Sequence, residues 1–151
     1  MLKIDLMKVL ADFGETLGLE LAFDADGACV LTLDEETPIV IQANEEDSSL
    51  TLSSALREDL PQSLRLAQVE DLLAVALDPM ERGGASPVVG RDAESGLVAI
   101  YMVLPPSVLD KTPLAEIFGD FVTTRKAVAA MLDEPAEAPP PLGDRFSKMW
   151  V

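Results

Sequence analysis

The sequence of 151 residues contains no histidine and one cysteine, Cys29. Without histidine, imidazole metal ligands, Ser-His-Asp triads and histidine general bases are excluded. A single cysteine cannot form an intramolecular disulfide or a CxxC metal or redox site, so a reducing compartment is expected. Because free cysteine is usually buried and Cys29 falls in a predicted strand, we expect it to be a small core residue.

Motifs for nucleotide or calcium binding are also missing. Neither GxxxxGK[ST] nor GxGxxG occurs, and the sequence at Gly90 is GRDAESG. The acidic loops lack the DxDxDG spacing of an EF-hand. An acid–base pair such as Asp34 with Glu46 can be imagined, but solvation of turns explains these residues better. We therefore expect no cofactor, no metal and no enzymatic activity.

Long apolar runs are absent from the sequence. No segment approaches the roughly 20 apolar residues of a membrane span. Asp5 and Lys8 interrupt the apolar stretch near the start of the chain, so no secretory signal is expected. These features predict a soluble protein of the cytoplasm with no membrane partner.

Basic residues are scarce, with 11 Lys and Arg against 27 Asp and Glu, for a net charge of −16. A domain this acidic repels nucleic acid phosphates and anionic membranes, so its partners should be basic, neutral or amphipathic. Hydrophobic residues nevertheless make up 48% of the chain. That fraction is too high for a disordered acidic protein and predicts a folded core.

Residues 28–54 predict a three-stranded antiparallel meander. Apolar and polar side chains alternate with a period of two in three short segments, which is typical of half-buried strands. The segments are separated by the acidic turns at 34–37 and 44–48. We expect the rest of the chain to cover or extend this sheet.

The remaining pattern predicts three helices and two more strands. Helical spacing extends over residues 2–17 with Gly18 as the stop, over about 62–77, and over about 113–132 with Thr112 as N-cap and Pro113 as the first helical residue. Strands are expected at 87–91 and 97–104, the latter ended by Pro105 and Pro106. The predicted fold is α+β, in the order α-β-β-β-α-β-β-α, with a twisted antiparallel sheet flanked by helices.

The composition changes after residue 132. Residues 133–151 are rich in Pro, Ala and Glu and end in an apolar tip that contains the only tryptophan, Trp150. We expect one domain over residues 1–132 and a semi-rigid or disordered acidic tail over 133–151. A lone Trp there suggests a docking peptide, although chance explains it equally well.

The chain resembles the class I chaperones of bacterial type III secretion, the CesT/Tir chaperone family. FGETLGLELAFDADGACVLTLDEETPIVIQ looks like the first helix, its LGL exit and the strand pair after an acidic turn with Gly. EEDSSLTLSSAL looks like the third strand, and LLAVAL looks like the second helix. The resemblance covers about residues 2–132. Family members often have Asn late in the second helix, where this chain has Ala76.

The resemblance implies a homodimer of the bacterial cytoplasm that binds the N-terminal segment of a secreted effector and keeps it secretion-competent. A secretion ATPase or a regulatory protein would be further partners. Two sets of residues are assigned on this basis. The expected effector contacts are Ile4, Met7, Phe13, Leu21, Phe23, Ile39 and Ile41. The expected dimer interface contains Leu72, Leu73, Ala76, Val89 and Ile100.

A second hypothesis is a small-ligand sensor, or a regulatory protein of the same fold that sequesters a partner. A ligand site needs polar groups that converge between apolar strands. Thr32, Gln42 and Thr51 are the mid-strand candidates. A solvated strand surface explains all three more simply.

Overall fold

A computed structural model describes residues 3–32, 38–58, 70 and 87–133. The elements are α1 (Leu6–Leu17), β1 (Ala28–Leu31), β2 (Ile39–Asn44), β3 (Ser49–Arg57), β4 (Val88–Arg91), β5 (Val98–Leu104), α2 (Pro106–Lys111) and α3 (Leu114–Asp133). The strands form one antiparallel sheet in the order β1-β2-β3-β5-β4. This confirms the predicted α+β class. Apart from residue 70, the helix predicted at 62–77 lies outside the described residues, as do the residues after 133.

Helix α1 is shorter than its sequence pattern predicted. It begins at Leu6, because the carboxylate of Asp5 caps it and accepts a hydrogen bond from the Lys8 N–H at 3.2 Å. It ends where predicted, at Gly18, whose φ of 71° is a left-handed conformation that favours glycine. Ile4 therefore precedes the helix.

The meander over residues 28–54 is confirmed, with antiparallel pairing of β1 to β2 and of β2 to β3. The first predicted turn, at 34–37, lies outside the described residues. The second turn is closed by its own side chains: the Asn44 amide oxygen accepts from the Glu46 N–H, and the Asp47 carboxylate accepts from the Ser49 N–H and hydroxyl. Strand β3 continues past the predicted end, to Arg57.

The two later strands are confirmed, and a short helix follows the second of them. Pro106 opens the short helix α2, which was not predicted, because proline is compatible with the first turn of a helix. Thr112 ends α2 through a hydrogen bond from its N–H to the Val108 carbonyl. Helix α3 then begins at Leu114, one residue later than predicted, with the Pro113 carbonyl accepting its first hydrogen bonds.

One face of the sheet is covered by α1 and α3. Because side chains alternate along each strand, every second residue points to this face. The rings of Phe13 on α1 and Phe118 on α3 lie 4.9 Å apart between centroids and join the two helices. The main buried side chains are Leu6, Leu10, Phe13, Cys29, Leu31, Ile39, Ile41, Leu50, Leu52, Ile100, Leu104, Ile117, Phe118 and Phe121.

The opposite face, here called the open face, carries the other half of each strand. Its central row crosses the sheet through paired residues, from Val30 to Val40, Ser53, Tyr101 and Val88. Val30 and Tyr101 are exposed there in the described part of the chain. Strand β5 is apolar on both sides, which is typical of a central strand, and it lies between β3 and β4.

A buried arginine fastens α3 to β3. The Arg125 Nε donates to the Ser54 hydroxyl at 2.7 Å, and a terminal nitrogen of the guanidinium donates to the Ala55 carbonyl at 3.1 Å. Such a charge is costly to bury unless its donors are satisfied. Sequence analysis did not single out Arg125, because its partners are about 70 residues away in the chain.

Two glycines in helices give a matched test of the packing. A Cβ on Gly14 would lie 2.6 Å from the Leu19 carbonyl oxygen, whereas a Cβ on Gly119 meets nothing within 4 Å. We expect Gly14→Ala to lower the free energy of unfolding by roughly 1–3 kcal/mol. Gly119→Ala should raise it by roughly 0.5–1 kcal/mol, since alanine favours a helix. Urea denaturation measures both, and equal effects would contradict the close approach at Gly14.

Candidate functional site

The start of α1 borders the most distinctive surface in the described residues, here called the amino-terminal cleft. It has two adjoining parts of about 230 and 410 Å³. Met7, Phe23, Ala43 and Glu45 line both parts. The cleft therefore lies between α1, the turn before β1 and the end of β2.

The wall formed by residues 24–27 is fixed by hydrogen bonds. The Asp24 carboxylate accepts from the N–H groups of Asp26 and Ala28 at 2.8 and 3.0 Å. The Gly27 carbonyl accepts from the Ala43 N–H at 2.8 Å, and the Gln42 side chain donates to the Asp26 carbonyl at 2.9 Å. These bonds hold the turn against β2, so this wall of the cleft is preorganised.

The floor of the cleft is apolar. Met7 is 69% exposed although it lies in the first turn of an amphipathic helix. Ile4 and Phe23 are half-buried and pack against the core, so each presents part of its side chain to solvent. An exposed thioether beside an aromatic ring forms an adaptable contact surface for another apolar side chain.

The rim of the cleft is acidic. Asp5, Asp24, Asp26 and Glu45 line it, and all four are exposed. The basic residues near the start of α1 are Lys3, which precedes the helix, and Lys8, and neither lines the cleft. Carboxylates around an apolar floor favour a ligand that combines cationic and apolar groups.

A second cleft, of about 340 Å³, lies between α1 and the start of α3. Val9, Asp12 and Thr16 line one side, and residues 109–115 line the other. Its charged residues, Asp12, Asp110 and Lys111, have mixed signs. This cleft lacks the uniform charge of the amino-terminal cleft.

The predicted effector contacts divide into surface and core positions. Ile4, Met7, Leu21 and Phe23 retain exposed surface, and three of them, Ile4, Met7 and Phe23, line the amino-terminal cleft. The other three predicted contacts are Phe13, Ile39 and Ile41, whose exposure is 3%, 3% and 0%. These side chains lie in the core between the helices and the sheet. They therefore stabilise the fold and are not accessible to a partner.

The predicted dimer residues are only partly described. Leu72, Leu73 and Ala76 lie outside the described residues. Ile100 is fully buried and Val89 is half-buried against the core, both on the face covered by the helices. Their place on that face follows from the two-residue period of their strands, which the sequence could not assign to a side.

Cys29 is the core residue that the sequence predicted. Burial raises the pKa of its thiol and outweighs a hydrogen bond from the Ala22 backbone, which acts in the opposite direction. In the described part of the chain no cluster of three or more potential ligands could hold a metal ion. No helix within the described ranges is long and apolar enough to cross a membrane.

The described residues define a small α+β protein whose acidic, apolar-floored cleft is suited to binding a partner. Residues 8–129 match the model of the Tir chaperone protein (CesT) family, so the chain belongs to that family. No curated protein matches its sequence.

Solved structures share this fold at low sequence identity. A chain of the HopA1–SchA chaperone–effector complex is 23% identical, with a TM-score of 0.65 over 83% of this chain and 98% of that one. The structure of the Yersinia pestis type III secretion chaperone SycH in complex with a stable fragment of YscM2 contains a chain that is 17% identical. Its TM-score is 0.63 over 85% of this chain and 100% of that one. A chain of the heterodimeric ExoU–SpcU complex from the type III secretion system of Pseudomonas aeruginosa is 18% identical. Its TM-score is 0.60 over 86% of this chain and 99% of that one.

The buried thiol generates a prediction about reactivity. Because burial and a raised pKa both lower the concentration of accessible thiolate, Cys29 should react slowly with a thiol-specific reagent at pH 8 in the native protein. Denaturation in urea should restore the rate of a free cysteine. Absorbance of the released thiolate measures both rates. A native rate equal to the denatured rate would contradict the buried position of Cys29.

Proposed function

We propose that the protein is a type III secretion chaperone that binds the N-terminal segment of a secreted effector and keeps it soluble and secretion-competent. The observation that carries the proposal is the amino-terminal cleft, with exposed Met7 on its floor, in a member of the Tir chaperone family. The complexes formed by proteins of the same fold support it. The action is binding, and no chemical step is required of the described residues.

The sheet suggests how an extended segment would be held. The wall of the cleft at residues 24–27 leads directly into β1, which is at one end of the strand order. An extended chain could place an apolar side chain against Met7 and Phe23 and continue as an added strand beside β1. Main-chain hydrogen bonds would then provide affinity, and the cleft would provide selectivity. The cargo must lose conformational entropy, so a long contact is needed.

We further propose that the protein is a homodimer of the bacterial cytoplasm. Leu72, Leu73 and Ala76 remain the predicted interface residues. In the proposed dimer interface, Tyr101 and Val103 take the place of Val89 and Ile100, because their side chains are exposed on the open face of β5. A secretion ATPase and a regulatory protein remain predicted partners. The domain limits of 1–132 and 133–151 also remain a prediction.

The small-ligand hypothesis gains no support from the geometry. Gln42 and Thr51 are paired on the open face, and Thr32 follows the end of β1. Neither of the two clefts described above is lined by these residues. The Gln42 amide is instead used to hold the wall of the amino-terminal cleft.

Cargo binding should depend on the floor of the cleft. We expect Met7→Ser to weaken binding of an effector's N-terminal segment about tenfold or more, because a buried methionine contributes roughly 1.5–3 kcal/mol. The free energy of unfolding should change little, since Met7 is exposed. Isothermal titration calorimetry with candidate segments measures the loss. Leu97→Ser is the control, because Leu97 is exposed and lies in the connection before β5; equal losses in both variants would contradict the assignment.

The dimer proposal has its own test. Light scattering of the intact protein at micromolar concentration should give twice the mass of one 16.2 kDa chain. Leu73→Asp should reduce the mass to that of a monomer, because a charge in an apolar interface has no partner. Glu94→Lys, a charge change in the exposed turn before β5, is the control. A monomeric mass for the unaltered protein rules the homodimer out.

A further inference from the structure

The end of the printed sequence has a composition unlike the rest of the chain. Residues 145–151, RFSKMWV, contain two basic and four apolar residues and no acid. The whole chain has more than twice as many acidic as basic residues. This segment lies outside the described part of the structure, and the cargo proposal above does not involve it.

The segment has the chemistry that the amino-terminal cleft selects. The cleft offers an apolar floor at Met7 and Phe23 and a rim of four carboxylates. Phe146 and the run from Met149 to Val151 supply apolar groups, and Arg145 and Lys148 supply the cations. Tryptophan and arginine are enriched among the few residues that provide most of the binding energy at protein interfaces. Charge and polarity therefore match along the same short length.

The length of chain between α3 and the segment is sufficient. Helix α3 ends beside the end of β3, where an Arg57 side-chain N–H donates to the Leu132 carbonyl. The cleft is near the other end of that strand, where Ala43 pairs with Leu50. Seven residues of strand span about 23 Å. The twelve Cα–Cα steps from Asp133 to Arg145 can span up to about 40 Å, which covers this distance and the width of two strands.

We propose that residues 145–151 bind in the amino-terminal cleft of their own chain. The occupant is attached to the site, so its effective concentration is in the millimolar range and even a weak affinity fills the cleft. Resting on the proposed function, a second consequence follows: the segment covers the exposed floor around Met7 until an effector displaces it.

Trp150 makes the docking directly measurable, because it is the only tryptophan in the sequence. In the intact protein its emission should be shifted to shorter wavelength, and its quenching by acrylamide should be reduced, relative to the free peptide RFSKMWV. Met7→Ser and Glu45→Lys should each remove most of this shift and protection. Leu97→Ser, a change of the same kind outside the cleft, should leave both unchanged. Circular dichroism checks that each variant is folded.

Dilution identifies the chain that supplies the occupant. Binding within one chain predicts an emission maximum that is constant over roughly a hundredfold dilution and unchanged in the monomeric Leu73→Asp variant. A maximum that moves to longer wavelength on dilution or in that variant assigns the occupant to a second copy and overturns the proposal. The proposal is also overturned if Trp150 is equally exposed in the intact protein and in the free peptide.

Adding an effector segment separates this proposal from the proposed function. If both proposals hold, the effector segment binds in the cleft and displaces residues 145–151, so that Trp150 becomes exposed. If Trp150 is protected and responds to Met7→Ser but no effector segment binds, the docking stands and the cargo function fails. If effector segments bind but Trp150 is exposed throughout, the docking fails and the cargo function stands.

Discussion

The contact between the rings of Phe13 and Phe118 fixes the arrangement on which the binding surface depends. It joins the middle of α1 to the early part of α3 over the covered face of the sheet. With that point fixed, the first turn of α1 extends to the end of β2, where Met7 faces the turn before β1. The cleft thus depends on helix packing together with the hydrogen-bonded turn at residues 24–27. Arg125 fastens the other part of α3 to β3.

Because side chains alternate along each strand, one set of residues stabilises the core and the other set is on the open face, where a partner can reach it. Ile39 and Ile41 point under the helices, whereas Val40 between them belongs to the open face. A partner can meet only what the helices leave uncovered, which is the open face, the strand at the sheet's end and the gaps at the helix ends. A protein that binds a long extended segment needs such a distributed surface, because no single pocket offsets the entropy that the segment loses.

The sequence predicted the meander and both later strands well, because local alternation and turn residues determine them. It could not assign a strand's apolar residues to core or surface when both sides were apolar. Ile100 was therefore expected at an interface, although its neighbour Tyr101 is the exposed one. The helical pattern over residues 2–17 does not distinguish core from surface at Ile4 and Met7; in the structure α1 begins at Leu6 and Met7 is exposed. Long-range partners such as Arg125 and Ser54 leave no local signal.

The short strand β1 has a consequence for the behaviour of many copies together. It is only four residues long, lies at the end of the sheet and carries an exposed valine, Val30. Within the described ranges no strand pairs with the outer edge of β1, and an unpaired edge of this kind invites identical molecules to stack into open-ended filaments. The carboxylates of the turn at residues 24–27, immediately before β1, would face their own counterparts in such a stack and repel them. A basic strand would be attracted at the same place, so the charge of this turn disfavours stacking of identical copies more than pairing with a basic strand.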